Sequence, residues 1–156
     1  MRRKDREITD VNEKLAVLKE CKVCRLGLSV NDEPYIVPLN FGYTFADNAL
    51  TLYFHGAAEG KKIDMLRANP KACFEMDTGH ELIRADEAAN FSFHYVSLIG
   101  FGEVSFISGT EEKRRALNEL MRHQTGKDEP FALSDAAIEH VVVYKLAVHD
   151  FTGKKH

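Results

Sequence analysis

The chain has 156 residues, 44% of them hydrophobic, with 21 basic and 24 acidic side chains and a formal net charge of -3. That length suits one domain, residues 1–156, with a sizeable core. The charge balance gives no basic field for nucleic acid, no apolar run approaches the roughly 20 residues of a spanning helix, and the charged start MRRKDREITD is not followed by the apolar stretch of a secretory signal. The expectation is a cytoplasmic protein without nucleic-acid or membrane partners. An odd number of cysteines, Cys21, Cys24 and Cys73, agrees with a reducing compartment. Cys21 and Cys24 form a CxxC without the βαβ context of a redox motif or a second pair of zinc ligands, so a helix end meeting a strand start is the plainer reading.

Residues 10–19 read as a helix, with Asp10 and Glu13 at capping-box spacing and Val11, Leu15 and Leu18 along one side. A short strand at 24–30 ends at Asn31-Asp32-Glu33. A second strand, 35–45, turns through Ala46-Asp47-Asn48 into a third, 49–55, and the two read as a hairpin. Pro38 interrupts the second strand, which points to an edge, a bulge, or a neighbour that is not a strand. A helix at 59–68 stops at Asn69-Pro70, and 71–77 is a fourth strand. Residues 78–92 are polar and loop-like. A long apolar strand at 93–107 carries Gly100 and Gly102. A helix capped from residues 108–111 runs to about 124, with Ala116, Leu117, Leu120 and Met121 on its core face. One helical turn at 134–138 precedes a final strand, 139–151, and a tail. About six mostly antiparallel strands in hairpin order, with two or three helices, favour a mainly β fold: a small barrel with helices packed outside.

The stretch LTLYFHGAAEGKKIDML, residues 50–66, passes from strand to helix through His55, small residues and Gly60-Lys61-Lys62. A helix N-terminus already carries partial positive charge, so two lysines there suggest a negative ligand. Unpaired N–H groups, close approach at Gly56, Ala57, Ala58 and Gly60, and the two ammonium groups make a candidate phosphate cradle. An ordinary solvated helix face is the competing reading. His55 and Tyr53 share one face of the strand, Phe54 the other. A histidine at a strand end is more often structural than catalytic, but this one adjoins the cradle. The other histidines are scattered, and none has the spacing of a helical zinc site, so no metal is expected. Nucleophile-elbow, Walker and dinucleotide-binding motifs are absent.

The segments MRRKDREI, CKVCRLGLSVNDEPYIVPLNFGY, LTLYFHGAAEGKKIDMLRANPKACFEMD and FHYVSLIGFGEVSFI, in this order over nearly the whole chain, resemble the 5-nitroimidazole resistance protein family of the pyridoxamine 5'-phosphate oxidase-like flavoproteins. The resemblance implies a six-stranded antiparallel split β-barrel with flanking helices. It also implies a homodimer with a flavin at each subunit interface, FMN with FAD as the alternative, and a small-molecule substrate. It implies that backbone atoms of Val37, Pro38, Leu39 and Asn40 contact the polar edge of the flavin ring. Lys61 and Lys62, after Gly60, would hold the phosphate. His55 would touch cofactor or substrate as the one catalytic candidate, and Ser97 would reach the cofactor or line the interface. True pyridoxamine phosphate oxidases carry an arginine-rich phosphate site and a C-terminal tail with tryptophan and arginine. This chain has no tryptophan and ends in TGKKH, so vitamin B6 oxidation is not expected. A flavin-dependent oxidoreductase of nitroreductase type is the first expectation. The rivals are a non-catalytic flavin-binding or sensor protein, the same fold with FAD, haem or a deazaflavin, and a ligand-free assembly protein.

Overall fold

A computed structural model describes residues 2–156. The chain order is β1 (Glu7–Ile8), α1 (Val11–Glu20), β2 (Val23–Val30), β3 (Glu33–Asn40), β4 (Gly42–Ala46), β5 (Ala49–Gly56), α2 (Lys61–Ala68), β6 (Lys71–Ile83), β7 (Ser92–Ile107), α3 (Thr110–Thr125), α4 (Asp135–Glu139) and β8 (Val142–Lys155). All strands pair antiparallel, in the order β3-β2-β6-β7-β8-β5-β4, with β1 added to β8.

The two ends of that order, β3 and β4, are consecutive in the chain and separated by Phe41 alone. The sheet must therefore curl until its ends lie side by side, yet no ladder joins them. This is a split barrel. Phe41 is fully buried at the seam. The fold class read from the sequence is correct, but the single strand at 35–45 is two strands. Its first half pairs with β2 and only its second half forms the hairpin with β5. Eight strands result instead of six, because of this break and of the short β1.

Local chemistry explains the hairpins. Asn31 and Asp32 have φ of 52° and 62°, and Asp47 and Asn48 have 51° and 63°. Both pairs adopt the left-handed conformation that two-residue hairpin turns require, and Asn and Asp tolerate it well. Strand alternation then sends Cys24, Leu26 and Leu28 inward from β2, and Leu50, Leu52 and Phe54 inward from β5. Phe74, Met76, Leu98, Tyr144 and Leu146 complete the core, with the Tyr144 ring stacked on Phe54 at 5.4 Å.

Several boundaries differ from the sequence reading. The expected loop at 78–92 is shorter, residues 84–91: β6 runs to Ile83 and pairs with β7 past a bulge between Thr78 and Glu81. These arms project with exposed side chains, so no apolar alternation marked them. The expected tail is also strand, because Gly153 lies buried between Ile8 and Leu98. Helix α3 begins after Gly109, without a side-chain cap from Ser108. Its buried residues are Ala116, Leu120 and His123, while Leu117 and Met121 are half-buried. Helix α3 lies against the start of β4 so closely that a Cβ on Gly42 would sit 2.4 Å from the Leu120 backbone.

Cys21 caps the C-terminus of α1 and Cys24 lies in β2, both buried, as the plainer reading of the CxxC had it. Burial pushes their thiols up to about 11 and about 12, which keeps them protonated and poor nucleophiles at neutral pH. No helix among the described residues is long and apolar enough to cross a membrane.

Candidate functional site

Strand β5 delivers His55 and Gly56 to the rim of the barrel, and the chain then crosses Ala57 to Glu59 into α2. The helix starts at Lys61, two residues later than Glu59. Gly60 has φ of 121°, a conformation closed to helix and open only to glycine, and nothing lies within 4 Å of where a Cβ would stand. No side chain caps this end. The backbone bonds of Ile63 and Asp64 go to the Gly60 carbonyl at 2.8 and 3.1 Å. The N–H groups of Lys61 and Lys62 precede the first helical bond and are left for an outside acceptor.

The two lysines point to different neighbours. Lys61 Nζ donates to Glu33 Oε1 at 2.6 Å and lies 5.0 Å from the centre of the Tyr35 ring. It thus ties the start of α2 to the start of β3. Lys62 turns back over β5: its Nζ would lie 3.0 Å from a Cβ on Gly56. No carboxylate pairs with Lys62 among the described residues. His55 is exposed on the outward face of β5, yet the protein packed around it, and secondarily Lys62, lowers its pKa. The imidazole is neutral at pH 7, available as donor at one nitrogen and acceptor at the other.

Strand β3 pairs only with β2 and is an edge of the sheet. Its other side, along Val37, Pro38, Leu39 and Asn40, faces no strand, which is where proline is tolerated. Val37 and Leu39 lean inward opposite Leu26 and Cys24, and Pro38 lies outward opposite Arg25. The Asn40 side chain is committed elsewhere: its Nδ2 donates to the Lys22 carbonyl at 3.0 Å and to Gln124 Oε1 at 3.2 Å. Only its backbone is free for a ligand. The Lys61–Glu33 contact ties the start of α2 to the first residue of β3, whose open edge runs on through Val37 to Asn40 toward its other end. Ser97 is on neither element. It sits on β7 opposite Asp77 and Lys154, with β2 and β6 between it and β3.

Glu33 and Tyr35, the neighbours of Lys61, escaped the sequence reading. No local signal joins them to a lysine 28 positions away. Among the described residues no group of three or more His, Cys, Asp or Glu side chains is placed to hold a metal.

The class of protein that the fold defines is a small antiparallel split barrel with flanking helices. The family model described as pyridoxamine 5'-phosphate oxidase matches residues 10–155, and the chain belongs to that family. A candidate 5-nitroimidazole antibiotic resistance protein from Bacteroides thetaiotaomicron is 36% identical; the match covers 96% of this chain and 86% of that one, with a TM-score of 0.82. Two more distant structures show the shared fold. The flavocytochrome Anf3 from Azotobacter vinelandii is 20% identical over 100% of this chain and 72% of its own, with a TM-score of 0.80. A FAD and haem binding protein from Mycobacterium smegmatis is 19% identical over 96% and 73%, with a TM-score of 0.82. No curated protein sequence matches the chain.

Proposed function

We propose that the chain is an FMN-dependent oxidoreductase of nitroreductase type that acts on small nitroaromatic molecules such as 5-nitroimidazoles. The observation that carries this reading is the start of α2: free N–H groups, a glycine that admits close approach and an unpaired Lys62, beside the open edge of β3. An anion fits there, and a planar ring with polar edges fits the open edge of β3, where alternate backbone groups between Val37 and Asn40 point away from β2. Family membership and the resistance-protein neighbour agree with it. Bound flavin would supply the electron chemistry. The chain's own residues would bind and orient. The Lys61 and Lys62 N–H groups and the Lys62 ammonium hold the phosphate, the β3 edge fixes the ring, and neutral His55 donates a hydrogen bond to cofactor or substrate from its protonated nitrogen.

The same reading includes a homodimer in the cytoplasm. The outward face of β3, β2, β6 and β7 exposes Ile36 at 68%, Phe101 at 58% and Ile99 at 43%. In register they flank Gly27 and Cys73, whose small side chains leave a trough between them. An apolar face of this kind suits a second copy. Ser97 lies on this side of the sheet and would reach a flavin held by the partner. FAD is the second reading, favoured by the Mycobacterium smegmatis neighbour.

Denaturation of purified protein and mass analysis of the released chromophore is the first test. FMN is expected; FAD, haem or no chromophore overturns the cofactor assignment. Steady-state reduction of a nitroimidazole with NADH or NADPH then separates an enzyme from a flavin carrier. His55→Ala is expected to keep the fold and the flavin while changing turnover; unchanged kinetics across several nitro compounds remove His55 from the site.

A further inference from the structure

We infer that a second ligand site, separate from the β3–α2 rim, lies in the cavity between α1, β4 and the C-terminal end of α3, and that it takes a small aromatic anion bearing a hydrogen-bond donor. The cavity measures about 670 Å³, a size typical of small-molecule sites. Its origin is in the packing: α3 is pinned to the start of β4 at Gly42, turns off at Gly126 with φ of 72°, and leaves an opening roofed by α1.

The walls suit a flat ring. Leu15 of α1 and Phe45 of β4 supply apolar surface, and Tyr43 stands edge-on to His123 with ring centres 5.1 Å apart. Charge then selects an anion. Lys19, Lys22 and Arg122 line the cavity against Asp128 alone. The carbonyl ends of α1 and α3 would repel an anion. Lys22 masks both, since its Nζ donates to the Lys19 carbonyl at 3.2 Å and the His123 carbonyl at 2.6 Å. Arg122 is paired with Glu119. Lys19 has no ion-pair partner among the described residues and is free to meet a carboxylate.

His123 supplies specificity. It is only 8% exposed, and its Nε2–H donates to the Cys21 carbonyl at 2.8 Å. That bond fixes the tautomer and leaves a lone pair on Nδ1 with no partner among the described residues. Burial lowers the His123 pKa, so this nitrogen stays an acceptor at neutral pH. A ligand hydroxyl or ring N–H would satisfy it. The sequence held one sign of this residue: position 123 continues the apolar stripe of Ala116 and Leu120, a place where a histidine is out of pattern.

The test titrates the purified protein with 4-hydroxybenzoate, and with 4-hydroxybenzyl alcohol as the uncharged comparison, by calorimetry and amide NMR. Saturable binding of the acid below about 1 mM is expected, with shifts confined to β4 and the C-terminal turns of α1 and α3, and unchanged by saturating FMN. Lys19→Ala with Arg122→Ala should weaken it about tenfold. Ala46→Trp, which fills the mouth from an exposed position, should abolish it while the melting temperature holds. Absence of saturation, equal binding of the alcohol, shifts centred on residues 55–62, or displacement by FMN would each overturn the proposal. Because FMN binding is read separately, failure here leaves the cofactor reading standing, and the converse also holds.

Discussion

Helices α1 and α2 each follow a strand, yet their N-termini are built in opposite ways. Asp10 closes α1: its Oδ1 accepts from the Asn12 N–H at 2.9 Å, and Glu13 adds negative charge in the first turn. Short α4 is closed likewise by the Ser134 hydroxyl. At α2 the cap position holds Gly60, the first two residues are lysines, and Asp64 is the only acid in the turn. A capped helix satisfies its own end and helps the fold stand. One that starts at a glycine forgoes only about a few tenths of a kcal/mol of capping and leaves its first donors without a side-chain partner. On the proposed function, the difference makes α1 a structural helix and α2 a binding one; α3 also starts at a glycine without a side-chain cap but carries Glu111 and Glu112 in its first turn, so the lysines distinguish α2.

The largest expected effect breaks the binding end. Lys62→Ala should raise the FMN dissociation constant roughly tenfold or more, the scale of one charge-assisted contact, read by flavin fluorescence. Lys61→Ala should do less, because Glu33 already shares that charge. Two variants that bind FMN as the parent does would take the phosphate away from α2.

Gly60→Ala probes the same end through the backbone. With open space around the Cβ but φ of 121°, the cost is torsional, about 1–2 kcal/mol. A urea midpoint that does not move would show that the turn is not strained. Asp10→Ala is the mirror experiment. It should lower stability by about 1 kcal/mol and leave FMN affinity untouched; a shift in affinity would mean that the two helix ends are not independent.

The smallest effect is a pH dependence. The folded pKa values of His55 and His123 are both lowered, mainly because protein atoms packed around each ring displace water. In the unfolded chain these imidazoles take protons below about 6.5, while the folded ones resist. The unfolded state therefore binds more protons, and stability falls as pH drops from 7 toward 5.5. His123→Gln should flatten that slope in denaturation curves taken at both pH values.

The signals that point to the proposed site are local and were legible in the chain. A glycine followed by two lysines after a strand, a histidine at that strand's end and a proline within an apolar run are each defined by neighbours in sequence. The partner of Lys61 was not legible, and of the three readings of Pro38 only the structure selects the sheet edge. His123 reads in the sequence as one scattered histidine because its partners, Cys21 and Tyr43, are distant along the chain.

The sequence by itself determined the strand alternation, the Asn-Asp and Asp-Asn hairpin turns, the capped start of α1 and the stop at Asn69-Pro70. Each of these rests on torsional preference and periodicity over a few residues. Only the tertiary structure decided the break at Phe41, the pairing of β3 with β2, the ladder beyond Thr78 and the cavity beside His123. Those depend on which distant segments meet when the sheet curls and its two ends come together at one buried ring, and no short stretch of chain carries that information.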